Sequence, residues 1–215
     1  MLGNADELNN YEYVYSDKEL ESILKEYFDV MDISDEQKEK RVKVAKDFRD
    51  ALLFLFTLIT VAYEYDYFSF DYVAVQFKNK FSEVILKYGK YDEYLKQYVD
   101  KITYNILETT YRNANFEKKD FWLSDERGII VAENEANSFC NYENLQEAIE
   151  QGYTMKQWVT ERDSRVRKTH KKIDGKTIPI DKYFEFPDCK GLFPHDASNL
   201  SDKELANCRC TLKFS

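Results

Sequence analysis

WVTERDSRVRKTHKKIDGKTIPID, Trp158 to Asp181, is where the texture of this 215-residue chain changes. Upstream, the chain reads as one helix after another. Here an apolar start gives way to a dense charged run. The Asp174-Gly175 pair that follows is of the kind that closes a tight turn, and a second extended stretch comes after it. That order predicts a strand, a charged turn or short helix, a turn and another strand. Pro179, Pro187 and Pro194, the only three prolines, all fall in this last third, with Gly175 and Gly191. The end is loop-rich, and CRCTLKF, from Cys208, reads as a closing strand. The expected class is α+β: a mostly helical N-terminal region, then a small loop-rich α+β C-terminal domain with short strands. The boundary falls near residue 120, giving a helical docking region over 1–120 and a second domain over 121–215.

The helical reading of the first part rests on local signals. Ser16 followed by Glu19, and Ser34 followed by Gln37, have the form of capping boxes. Val42, Ala45, Phe48, Leu52, Leu55, Ile59 and Ala62 step by three or four and make one face of a long helix. A helix from Tyr72 ends near Gly89, where glycine suits the residue past a C-terminus. Another, from Tyr91, carries a stripe of Tyr94, Tyr98, Ile102, Ile106 and Thr109. Ser124 caps a further helix bearing Arg127, Ile130, Val131 and Glu135, and Gly152 ends the next helical stretch.

Charge separates the two parts. The net charge is −9, but from Met155 onward there are 13 Lys/Arg against 9 Asp/Glu, a net +4. The first 154 residues carry 18 against 31, a net −13. An acidic body excludes a chain that coats nucleic acid along its length, while a basic end leaves room for a local phosphate contact. The most apolar run, Ala51 to Tyr63, has 13 residues; a membrane span needs roughly 20, so a buried helix is expected and no membrane partner. MLGNADELNNYEY, at the start, is acidic and polar and reads as no export signal. Four cysteines in that setting point to a reducing compartment and free thiols.

Several residues in the last third have metal-binding chemistry. His170, Cys189, His195, Cys208 and Cys210 supply enough soft and borderline ligands for zinc. The close pair is C-x-C rather than C-x-x-C, and in an extended segment both thiols point to one side. The plainer alternative is two small buried residues on one strand face. A metal-dependent nuclease would draw on His170, Asp181 and His195 as general base and metal ligands; the plainer alternative has His170 bonding Asp163 or a backbone carbonyl to fix a turn. Arg162, Arg165, Arg167, Lys168, Lys171 and Lys172 form a basic run without interleaved aromatics. It suits phosphate or an acidic partner better than base stacking, or else it is a solvated face paired with Asp163 and Asp174.

Taken together, these residues resemble a known signature. Trp158, Thr160, Asp163, Arg165, Val166, Arg167, His170, Gly175, Phe184, Gly191, Pro194 and the terminal Asn207, Cys208, Arg209 and Cys210 follow the order and spacing of the phage Mu F-like family of minor head (head morphogenesis) proteins. Upstream, DERGIIVAENEANSFCN is similar to the family's helix, with Arg127 and Glu135 in place and Asn134 where threonine is usual. The resemblance covers about residues 121–212. It implies a virion component at or near the portal inside the procapsid, present in the host cytoplasm during assembly. Its partners would be portal, capsid or scaffold proteins and packaged DNA. The family domain also occurs fused to toxin domains. On this reading the protein is not an enzyme and needs no cofactor beyond the zinc considered above. The acidic Tyr/Phe-rich helices are then a docking element. A DNA-binding module built on Arg162 to Lys176 is a third reading.

Overall fold

The computed structural model describes residues 14–64, 69–114 and 119–215. The opening segment read for an export signal, residues 1–13, lies outside them. The fold is α+β, mostly helical in its first part. Helices α1 (Asp17–Asp29), α2 (Asp35–Glu64), α3 (Phe70–Tyr88), α4 (Glu93–Ala114), α5 (Lys119–Trp122) and α6 (Asp125–Glu150) come first. Strand β1 (Met155–Val159), α7 (Lys168–Lys171), β2 (Thr177–Pro179), β3 (Phe184–Glu185), β4 (Lys190–Gly191), α8 (Asp202–Leu205) and β5 (Thr211–Phe214) follow.

The local start signals work as the sequence suggests. Ser16 accepts from the Glu19 amide while the Glu19 carboxylate takes the Ser16 amide, so two otherwise orphaned donors at the start of α1 are satisfied. Ser124 caps α6 through the Arg127 amide. The face of α2 from Val42 to Ala62 is buried, and α2 packs against α1, α3 and α6. On α4 the stripe is shifted: Thr109 is exposed and Thr110 is fully buried, its hydroxyl returned to the Ile106 carbonyl. No helix among the described residues is long and apolar enough to cross a membrane.

Helix α6 is one continuous helix where the sequence suggested two stretches, and it lies at the centre of the bundle. Its buried residues include Asn137, Ser138, Asn141 and Glu133 beside Ala132, Phe139 and Leu145. A helix buried on most sides has no polar face to mark its outside. Asp125 at its start accepts from Arg49 of α2 in a buried ion pair, and also from the Tyr15 amide. Arg127 is buried with its guanidinium 5.2 Å from the Phe56 ring and 4.7 Å from the Trp122 ring, and burial lowers its pKa to about 10. Helices α1 to α4 and α6 share one apolar core that also takes in Phe193 and Ala197.

A second, smaller core gathers Trp158, Ile173, Phe184, Phe186, Leu200, Cys208 and Cys210. Around it β2, β1 and β5 form an antiparallel sheet with β1 in the middle, and β3 pairs with β4. Gly175 turns the chain between β1 and β2 at φ +76°, a conformation glycine adopts without a Cβ penalty. Gly191 allows a close approach: a Cβ there would lie 2.8 Å from Leu200 Cδ2. The closing strand begins at Thr211, not at Cys208. The Cys208 and Cys210 carbonyls are taken by side chains of α6 and by His195, so this part of the backbone is not free to join the sheet.

Candidate functional site

Asn207 to Cys210 is held from three sides. Asn137 Nδ2 of α6 donates to the Cys208 carbonyl at 3.1 Å, and Asn141 Nδ2 donates to the Cys210 carbonyl at 3.1 Å and to that of Pro194 at 3.2 Å. The other face of each amide points back into the bundle. Arg41 of α2, fully buried, donates through Nε to Asn137 Oδ1 and through Nη2 to Asn141 Oδ1, both at 3.0 Å. A buried guanidinium thus orients two amides, and the amides hold two carbonyls. Asn134 accepts from the Asn207 amide at 2.7 Å, so the asparagine standing at the usual threonine position caps the segment. Asn207 has φ +53° and His195 φ +66°, conformations uncommon outside glycine that neighbouring contacts must sustain. His195 bonds the Cys208 carbonyl through Nε2, and its own carbonyl accepts from Ser138 Oγ at 2.8 Å.

This scaffold brings His170, Cys208 and Cys210 together. His170 Nδ1 is 3.3 Å from Cys210 Sγ and 3.6 Å from Cys208 Sγ. All three side chains are buried and their ligand atoms lie within 4.8 Å of one another. Trp158 and Phe186 stand edge-on to the imidazole, at 5.5 and 5.4 Å. On its far side, His170 Nε2 lies 3.0 Å from Glu204 Oε2, also buried, outside hydrogen-bond alignment. Thr169 Oγ1 donates to the same oxygen at 2.8 Å. Burial raises the Cys208 thiol, but hydrogen bonding to Cys210, His170 and His195 outweighs it, holding Cys208 well below the ordinary thiol range. Cys210, bonded to that sulfur and buried, is pushed well above it.

The other expected residues take separate places. All four cysteines are free; Cys189 is half-buried and faces Ser201 Oγ at 3.7 Å, apart from the thiol pair. His195 serves the Cys208 backbone. Asp181 is exposed and pairs with Lys182, so His170, Asp181 and His195 do not form one cluster. His170 does not fix its turn through Asp163. That carboxylate instead accepts from the Arg165 amide at 2.9 Å and from Arg209 Nη2 at 2.6 Å. In the basic run, Arg162 pairs with Asp174, Arg165 with Asp163, and Arg167 donates to the Ala206 carbonyl. Lys168, Lys171 and Lys172 are exposed and make no salt bridge among the described residues. Glu135 accepts from the buried Tyr98 hydroxyl. Arg41, Asn137, Asn141 and Glu204 were not singled out from the sequence. The Asn137/Asn141 spacing of four, on one helix face, was the available clue.

The architecture is that of a helical bundle whose central helix grips a small strand-and-loop module. The chain belongs to the family described as Phage Mu protein F like protein, whose model matches residues 89–213. The match takes in α4, upstream of the motif-bearing stretch, and membership places the chain among the phage head morphogenesis proteins. A curated protein similar to it is NAD(+)--arginine ADP-ribosyltransferase EFV of Enterococcus faecalis (strain ATCC 700802 / V583), 26% identical over 129 residues. The aligned part is 55% of this chain and 26% of that protein, so the chain spans about a quarter of the relative's length. No solved structure matches.

Proposed function

We propose that this protein is a minor head protein of a phage, acting at or near the portal inside the procapsid, where it assists head assembly and the packaging or delivery of DNA. The observation that carries the reading is the family match over residues 89–213. The surface supports a division of labour. Lys168, Lys171 and Lys172 present positive charge from a module with net +4, and the acidic helices before it carry the opposite sign. The lysines then meet an acidic portal surface or DNA phosphates, and the helical region docks to a capsid or scaffold component. Long-range attraction of this kind steers association and weakens with salt.

The test is co-expression of the full chain with the portal and major capsid proteins of the same phage. Expected is co-purification with the portal and a few copies per procapsid by quantitative mass spectrometry. Replacing Lys168, Lys171 and Lys172 together by glutamate should lower portal or DNA binding at least tenfold at low salt. Procapsids that assemble normally and contain none of the protein would overturn the proposal. The nuclease alternative has no gathered His170/Asp181/His195 site to support it; metal-dependent cleavage of DNA or RNA by the purified chain would revive it.

A further inference from the structure

We propose that His170, Cys208 and Cys210 bind one zinc ion, with a single water-sized ligand completing the tetrahedron, and that the ion staples the C-terminal module. Zinc bonds sulfur at about 2.3 Å and imidazole nitrogen at about 2.0–2.1 Å, so in a tetrahedral site the nitrogen and each sulfur stand about 3.6 Å apart. The two distances from His170 Nδ1 to sulfur are 3.3 and 3.6 Å. Both nitrogen–sulfur distances are therefore close to those of ligands to one ion, and all three ligand atoms lie within 4.8 Å of one another. Two thiolates and an imidazole are also a donor set that selects zinc over magnesium or calcium.

Three further features fit. The histidine has a carboxylate behind it: Glu204 Oε2 is 3.0 Å from Nε2 and is itself held by Thr169. With a metal on Nδ1 the ring proton sits on Nε2, facing that carboxylate, and a small turn of the ring would align the two in the outer arrangement usual for metal-bound histidine. Next, a cavity of about 10 Å³ lies against His170, Cys208 and Cys210, bordered by Glu161, Arg165 and Asn207. That is room for about one water. Finally, the second core is small, with seven buried residues of which two are the cysteines themselves. A core of that size gains most from a metal staple. The ion would join α7, through His170, to the segment preceding β5, with Glu204 of α8 standing behind the imidazole. Glu204 is a positioning residue here and not a ligand. The assignment does not depend on the role in head assembly.

The full-length chain, purified without chelator, should contain about one zinc by elemental analysis. Cys208→Ser and Cys210→Ser should lose it, and Cys189→Ser should keep it. Glu204→Gln should keep the stoichiometry and weaken zinc about 10–100-fold in chelator competition. Should the cysteine variants fail to fold, cobalt added to the metal-free wild-type chain decides. A tetrahedral spectrum with thiolate-to-cobalt charge transfer is expected. A folded metal-free chain that takes up neither zinc nor cobalt would overturn the proposal. So would zinc retained by Cys208→Ser, or a Cys208–Cys210 disulfide in the unreduced protein.

Discussion

The helical bundle and the C-terminal module are stabilised by different physics. In the bundle, Leu24, Phe28, Phe48, Leu52, Leu55, Phe77, Phe81 and Ile85 are all fully buried, and apolar contact does most of the holding. The module buries few large side chains and depends on directed contacts to the Cys208 and Cys210 carbonyls and sulfurs. Apolar contact is non-directional, so the bundle should accept a change of shape at constant volume. A hydrogen bond needs its partner, so the module should accept little change even where few atoms are altered.

The largest expected effect tests the bundle. Phe48→Ala removes a ring 4.7 Å from that of Phe81 and should cost about 3–5 kcal/mol in urea unfolding. Leu52→Met, at a fully buried site of the same helix face, should cost less than about 1.5 kcal/mol. Equal losses from the two would erase the distinction. Next comes the grip between the regions. Asn141→Leu keeps the volume but strips partners from the Arg41 guanidinium and the Pro194 and Cys210 carbonyls. A cost of about 2–3 kcal/mol is expected, with amide-exchange protection in Thr211–Phe214 lost before that of α2. A neutral result would mean that the module is held by its small core alone.

Acidity gives a third handle. Burial raises Glu133 and Glu143 to about 7, from an ordinary value near 4.5. The folded state therefore holds more protons than the unfolded state between those values, and stability falls as pH rises through that window. The urea midpoint should be higher at pH 5.5 than at pH 8, by an amount on the order of 1 kcal/mol per group after allowing for solvent. Glu133→Gln should flatten the slope. The smallest effect is local: Ser16→Ala should cost about 0.5–1 kcal/mol and leave the module's exchange pattern unchanged.

What could be read in the sequence was what neighbours along the chain decide. The Ser16–Glu19 capping box, the Ser124 cap, the face from Val42 to Ala62 and the Gly175 turn each depend on residues within a few positions. The centre of α6 was less legible, because Asn137 and Asn141 look like surface residues until Arg41, 96 and 100 positions earlier, supplies their partner. The same distance effect hid the start of β5. The sequence of Cys208 to Phe214 suits a strand throughout, and only the amides of α6 take its first carbonyls away. At the candidate site, five possible ligands were visible but not their grouping. The left-handed backbone at His195 and its bond to the Cys208 carbonyl assign that imidazole to the scaffold, which spacing alone does not reveal.

The chain of contacts from Arg41 through Asn137 and Asn141 to the cysteine carbonyls also orders events in time. Arg41 emerges from the ribosome early, α6 later and the cysteine segment later still. Closing contacts between such distant positions is slow compared with forming helices. Until the cysteine segment docks, the Asn137 and Asn141 amides lack the Cys208 and Cys210 carbonyls and must donate to water instead. Docking of Cys208 and Cys210 onto α6 thus exchanges water for protein at both amides, and the seam between bundle and module is a polar one.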